Sequence, residues 1–75
     1  MIDVEGVSVP RALVLELAHG LEHEGYFDTA NHLLRCLSEH RPITLEAPDR
    51  GIVLEALRDP PEGLEELRGA LLRRL

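Results

Sequence analysis

Four segments of this 75-residue chain carry apolar residues at intervals of three and four positions, and a proline or a glycine separates each segment from the next. This spacing places the apolar side chains of a segment on one face of an α-helix. Because four such faces need a shared interior to cover them, the sequence predicts a mainly α-helical fold with four helices. The residues of the four faces are Leu13, Val14, Leu17, Ala18 and Leu21; Ala30, Leu33, Leu34 and Leu37; Ile52, Val53, Ala56 and Leu57; and Leu64, Leu67, Leu71 and Leu75.

The ends of the predicted helices are marked by prolines, by glycine and by side chains that can cap a helix. Proline is tolerated in a first turn because its missing N–H would have no partner there, and glycine readily takes the left-handed conformation that ends a helix. In the fourth segment glutamates come before arginines, which is the order that the helix dipole favours. We expect helices to begin at Pro10, at Asp28 or Thr29, at Pro48 and after Asp59-Pro60-Pro61, and to end at Gly25 and Pro42.

Two short segments alternate apolar residues with polar ones and predict β-strands. Residues 4–9, which include Val7-Ser8-Val9, precede the first helix, and Ile43-Thr44-Leu45 precedes the third. Since strands this short are not stable by themselves, we expect them to pair with each other in a minimal two-stranded antiparallel ribbon. The predicted fold is a tandem strand-helix-helix arrangement in a single domain over residues 1–75, with possible quasi-repeats at 4–40 and 42–75.

Two fragments support the possible repeat. Residues 11–16 resemble residues 50–55, and residues 33–37 resemble residues 71–75. A tandem duplication would produce these matches, and so would the coincidental similarity of leucine-rich amphipathic helices. Both explanations stay open.

The segment from about residue 6 to residue 40 resembles the ribbon-helix-helix repressors. The residues that carry the resemblance are Val7–Pro10, Gly25–Thr29 and Leu33–Leu37. The resemblance implies an antiparallel ribbon that enters the DNA major groove, and a function as a DNA-binding regulator or antitoxin. Members of that family read bases with basic or amide side chains, whereas the alternation here points Ser8 and Thr44 outward, with Glu5 and Glu46 close by. These side chains would leave the DNA phosphates without cationic partners.

The charge of the chain argues against binding to nucleic acid or to an anionic membrane. Fourteen acidic residues against eight arginines give a formal net charge of −6, which repels phosphate. The longest apolar run, Ala12–Leu15, is far shorter than a membrane span. One cysteine excludes an intramolecular disulfide, and the first residues lack the features of an export signal. We therefore expect a cytoplasmic protein that contacts neither nucleic acid nor a membrane.

Histidines provide two weak indications of metal chemistry. His19–His23 matches the H-x-x-E-H pattern in which two histidines hold zinc and a glutamate acts as base. His32, Cys36 and His40 recur every four residues and could, with His19 or His23, complete a tetrahedral site. A metal-binding helical domain is thus an alternative. We favour the structural interpretation, in which the histidines lie on an exposed helix face and the cysteine packs at the edge of the core. We therefore assign no metal ligand, no cofactor and no catalytic residue.

The chain carries more large apolar residues than four helical faces can hide. Leu15, Leu54 and Leu72 lie off the main apolar faces of their helices, and we predict that they form an interface. The adjacent aromatics Tyr26 and Phe27 are expected to place at least one ring in the core. The sequence favours a non-catalytic protein-interaction or self-assembly module that forms a homo-oligomer or binds a protein partner.

Overall fold

The computed structural model describes residues 1–74. Within them a hairpin is followed by four helices, so the predicted mainly helical fold with a two-stranded antiparallel ribbon is confirmed. Leu75, which we assigned to the apolar face of the fourth helix, lies outside the described residues. The elements are β1 (Ile2–Val4), β2 (Val7–Val9), α1 (Arg11–His23), α2 (Phe27–Glu39), α3 (Ala47–Ala56) and α4 (Glu65–Arg73).

The ribbon is a local hairpin, and the predicted pairing of its strands is wrong. β1 pairs with β2 in the register Ile2 to Val9 and Val4 to Val7, and the segment 43–45 adds a single parallel bridge from Ile43 to Val4. Glu5 and Gly6 form the turn with φ of 51° and 84°, as a two-residue hairpin loop of type I′ requires. A two-residue loop closes at a much smaller entropic cost than a pairing across two helices.

The first two helices end in the same way on different residues. Gly25, in the left-handed conformation, follows α1, and the N–H of Tyr26 donates to the carbonyl of Leu21 at 2.9 Å. This is the Schellman arrangement, and it confirms Gly25 as the end of α1. After α2 the left-handed position is occupied by His40, with φ of 55°, and the N–H of Arg41 donates to the carbonyl of Cys36 at 3.0 Å.

Two helices begin away from their predicted starts. α2 begins at Phe27, and Thr29 is buried in its first turn, where its hydroxyl donates to Asp49 Oδ1 at 2.6 Å, so neither Asp28 nor Thr29 caps the helix. α4 begins at Glu65 because the residues after Pro61 first form a turn, in which the N–H of Leu64 donates to the carbonyl of Pro61 at 3.1 Å. The order of charges on α4 nevertheless follows the helix dipole as predicted.

Every strand and helix contributes to one apolar core. α1 packs most extensively against α2 and also contacts α3, while α4 packs against α3 and β2. Cys36 is buried as a free thiol, as predicted for a small apolar residue at this position. Within residues 1–74, no helix has the length and apolar character needed to cross a membrane. The largest fully buried side chains are Leu21, Leu33, Ile43, Leu45, Leu57, Leu64, Leu67 and Leu71.

Candidate functional site

A surface groove lies between α1 and α3 and extends to the turn that precedes α4. We call it the α1/α3 groove; its volume is about 630 Å³. Leu13 and Leu17 face it from α1 and Ile52 faces it from α3, and each of these side chains is only partly buried. The groove therefore exposes the edge of the core to solvent. Leu21, Leu57 and Leu64 form its deeper, buried floor.

Acidic side chains stand on both sides of this apolar floor. Glu16 projects from α1 and Glu24 from the turn that follows it, Glu55 and Asp59 project from the opposite side, and all four are exposed. Arg58 also lines the groove, but its guanidinium is paired with Glu55. Among the described lining residues there are thus four carboxylates and one arginine, and Glu16, Glu24 and Asp59 lie outside the Arg58–Glu55 pair. The rim has a net negative field over an apolar floor.

A glycine keeps the middle of the groove open. Gly20 lies in the interior of α1, lines the groove, and would meet no neighbouring atom within 4 Å if it carried a Cβ. A glycine inside a helix costs about 1 kcal/mol relative to alanine. Since nothing crowds this position, close packing does not require the glycine, and any larger side chain placed there would project into the groove.

The two aromatic residues are both on the surface. Tyr26 is 43% exposed and stands at the end of the groove, and Phe27 is 59% exposed. The prediction that one of the rings packs in the core is wrong. Phe27, the first residue of α2, lies off the face of the helix that buries Thr29, Ala30 and Leu33. Tyr26 instead adds an aromatic wall to the groove.

A smaller cleft of about 340 Å³ lies on the surface between α1 and α2. Ala12, Leu15 and Leu34 give it an apolar surface, and Arg11 crosses one end, where its Nη2 donates to the carbonyl of Leu37 at 2.6 Å. We call it the α1/α2 cleft. Among the described residues, its lining carries one arginine and no carboxylate.

The three leucines predicted to form an interface lie in different surroundings. Leu15 is 42% exposed beside the α1/α2 cleft, and Leu72 is 44% exposed on α4. Leu54 is partly buried and packs against the core. Neither groove contains all three, so the structure does not gather them into one cleft.

The histidines and the cysteine that suggested a metal site are kept apart. His19 and His23 are exposed on α1, Cys36 is buried, and His32 Nε2 lies 2.8 Å from the carbonyl oxygen of Thr44. Within residues 1–74, no three side chains of histidine, cysteine, aspartate or glutamate are arranged to hold a metal ion. His40 is used at the end of α2, where its backbone takes the left-handed conformation.

The outer face of the ribbon carries Asp3 opposite Ser8, and both residues are exposed. Ser8 points outward as the alternation predicts, whereas Asp3 lies outside the segment 4–9 that the sequence predicts as a strand. A carboxylate on this face adds a charge that repels DNA phosphate.

Sequence analysis also missed the α1/α3 groove. The available signals were local: glutamates flanking the edge of the apolar face of α1, and a glycine between Leu17 and Leu21. No local pattern indicates that this edge of α1 faces α3 across an open space.

The fold and the groove define the class: over residues 1–74, a four-helix domain with an N-terminal hairpin and an acid-rimmed apolar groove on its surface. Comparisons with protein-family models, with curated proteins and with solved structures gave no match.

Proposed function

We propose that this protein is a non-catalytic protein-interaction module that binds a segment of its partner in the α1/α3 groove. The observation that carries the proposal is the accessible apolar surface that Leu13, Leu17 and Ile52 present to this groove, above its buried floor and between acidic side chains. Concave apolar surfaces of this kind bind the apolar side chains of partners, and the surrounding charges select among those partners.

The chemistry of the lining supports binding rather than catalysis. Its carboxylates are exposed on the rim, and no serine, threonine, cysteine or histidine is among the described residues that line the groove. A serine, threonine or cysteine nucleophile activated by a neighbouring histidine is therefore not among these residues. Small-molecule sites usually add convergent polar groups to an apolar pocket, whereas here the floor is apolar and the polar groups point to solvent.

The DNA-binding alternative has weaker support. It depends on the ribbon, whose outward residues Asp3 and Ser8 offer one carboxylate and one hydroxyl. Specific DNA complexes combine base contacts with cations that neutralise phosphates. An electrophoretic shift of a mixed-sequence duplex that weakens with salt would favour this alternative over the proposed function.

The experiment that tests the groove compares two glycine substitutions. Gly20→Trp fills the groove, whereas Gly51→Trp places the same side chain on α3 outside the groove, and a Cβ at either site would meet nothing within 4 Å. Peptides are selected from a random displayed library on the wild-type protein and measured by calorimetry. We expect the selected peptides to bind wild type and Gly51→Trp equally and Gly20→Trp at least about tenfold more weakly, roughly 1.4 kcal/mol.

Two results would contradict the proposal. One is a library that yields no specific peptide. The other is a set of peptides that bind Gly20→Trp as tightly as wild type. Circular dichroism of both variants checks that they are folded.

A further inference from the structure

We infer that the segment bound in the α1/α3 groove is a basic amphipathic α-helix, with lysine or arginine on both sides of an apolar stripe. This inference rests on the proposed function and specifies the partner of the same groove. Three features of the groove support it: its length, the state of the backbone along its walls, and the charge of its rim.

The length of the groove matches a short helix. The lining residues of α1 run from Leu13 to Leu21, which at 1.5 Å per residue is about 12 Å, or roughly two helical turns, and Glu24 extends this wall just beyond the helix. Leu13, Leu17 and Leu21 follow one another at one-turn intervals along this wall. A partner helix with apolar residues at i, i+3 or i+4, and i+7 presents its side chains at the same intervals.

The walls favour a helix over an extended strand. An extended peptide gains much of its affinity from hydrogen bonds to a free sheet edge. The long walls here are α1 and α3, whose backbone groups bond within their own helices, and neither β1 nor β2 lines the groove. A bound helix satisfies its own backbone groups and needs only side-chain contacts from the groove.

The rim selects for positive charge on both flanks of the partner. Glu16 and Glu24 stand on one side of the groove. On the other side stand Asp59 and Glu55, and the carboxylate of Glu55 is paired with Arg58. Each exposed ion pair contributes little affinity, since solvent screens it, but like charges across the interface are repelled and opposite charges speed association. A partner helix with lysines or arginines beside its apolar stripe therefore meets carboxylates on each flank.

A second copy of this chain is a poorer occupant. It carries the same formal net charge of −6, so the two copies repel each other at long range. Its basic end, formed by Arg73 and Arg74, belongs to α4, a helix already packed against α3 and β2. A free basic helix has no such constraint.

The test uses three labelled synthetic peptides of about fourteen residues, or four turns. The first has leucines on one helical face and lysines on both flanks; the second replaces each lysine by glutamate; the third has the composition of the first with its leucines distributed around the helix. Binding is followed by fluorescence anisotropy with wild type, with Gly20→Trp, with the double variant Glu16→Gln/Glu24→Gln, and with the control Glu22→Gln. Glu22 is an exposed residue of α1 that does not line the groove.

We expect the first peptide to bind at least about tenfold more tightly than the other two, and its affinity to fall with salt. The double variant should weaken binding of the first peptide roughly three- to tenfold, and Glu22→Gln should weaken it less than twofold. Gly20→Trp should weaken it at least as much as the double variant does. Equal binding of the acidic peptide, or of the peptide without an apolar face, would overturn the inference.

The outcomes separate this inference from the proposed function. If library peptides require an open Gly20 position but are neutral or acidic, the groove binds proteins and the inference is wrong. If Gly20→Trp changes no binding, both are wrong. If wild type self-associates in sedimentation and Gly20→Trp does not, the occupant is a second copy, which also overturns the inference.

Discussion

The carboxylate of Glu5 accepts a hydrogen bond from the backbone N–H of Leu45 at 2.7 Å, across 40 positions of sequence. The N–H of Glu5 itself donates to the carbonyl of Ile43 at 2.9 Å, and the second carboxylate oxygen lies 3.5 Å from Arg74 Nη1. One residue of the hairpin turn therefore holds the linker between α2 and α3 and contacts the end of α4. The Glu5 side chain is 4% exposed, so water does not readily replace these partners.

Glu5→Ala should destabilise the protein by about 1–3 kcal/mol, because it leaves the buried N–H of Leu45 without an acceptor. Glu5→Gln keeps a side-chain oxygen and should cost less. Urea denaturation followed by circular dichroism measures both. The control is Glu66→Ala on the exposed face of α4, and a Glu5→Ala cost no larger than this control would show that the hydrogen bond contributes nothing.

The matching ends of α1 and α2 predict opposite effects of two substitutions. His40 takes the left-handed conformation that glycine adopts without strain, so His40→Gly should stabilise the protein by roughly 1 kcal/mol. Gly25→Ala should destabilise it by a similar amount. His19→Gly, in the interior of α1, is the control and should be destabilising. Thermal denaturation that finds His40→Gly less stable than wild type would be incompatible with this prediction.

Glu65 predicts a pH effect at the start of α4. Hydrogen bonds to its carboxylate from its own backbone N–H and from that of Gly63 lower its pKa. A carboxyl group whose pKa is lower in the folded than in the unfolded state stabilises the fold above its unfolded pKa, and this contribution is lost as the pH falls through the folded pKa. The stability difference between wild type and Glu65→Gln should therefore shrink as the pH falls through that range.

An NMR titration of the Glu65 carboxyl checks the same prediction directly. Its midpoint in the folded protein should lie below the midpoint measured for the same residue in denaturant. Equal midpoints would mean that the hydrogen bond from Gly63, at 2.6 Å, does not favour the charged form in solution.

Replacing each of the three leucines predicted to form an interface by glutamate should have different effects on the protein. Leu15 and Leu72 are more than 40% exposed, so Leu15→Glu and Leu72→Glu should leave the fold intact and lower the sedimentation mass if the chain self-associates there. Leu54 packs against the core, and Leu54→Glu should lower the melting temperature instead. A monomer mass that is the same for wild type and Leu15→Glu would remove the support for self-association through α1.

Helix content was predictable because its signals are local. The spacing that buries Val14, Ala18 and Leu21 is written in the order of the residues, and Gly25 ends α1 through its own backbone freedom. The burial of Cys36 followed from its place beside the apolar face of α2. These features depend on a few neighbouring positions.

The strand pairing and the role of Glu5 depend on contacts between residues that the local sequence does not specify. Alternation predicts one strand over residues 4–9, but a short alternating segment does not indicate which strand it pairs with. In the structure Glu5 and Gly6 form the turn of a hairpin instead of continuing that strand. The sequence places Glu5 near the outward face of the ribbon, whereas the structure buries it, because nothing nearby in sequence indicates the N–H of Leu45.

By itself, then, the sequence determined which residues form helices, which faces of those helices are apolar, and where α1 ends, because each depends on periodicity or on the conformational preference of one residue. Tertiary structure decided that β1 pairs with β2, that Glu5 is buried, and that the acidic edge of α1 faces α3 across an open groove. Those outcomes depend on how elements distant in sequence are placed in space. Loop closure and packing set that placement, and no local pattern encodes it.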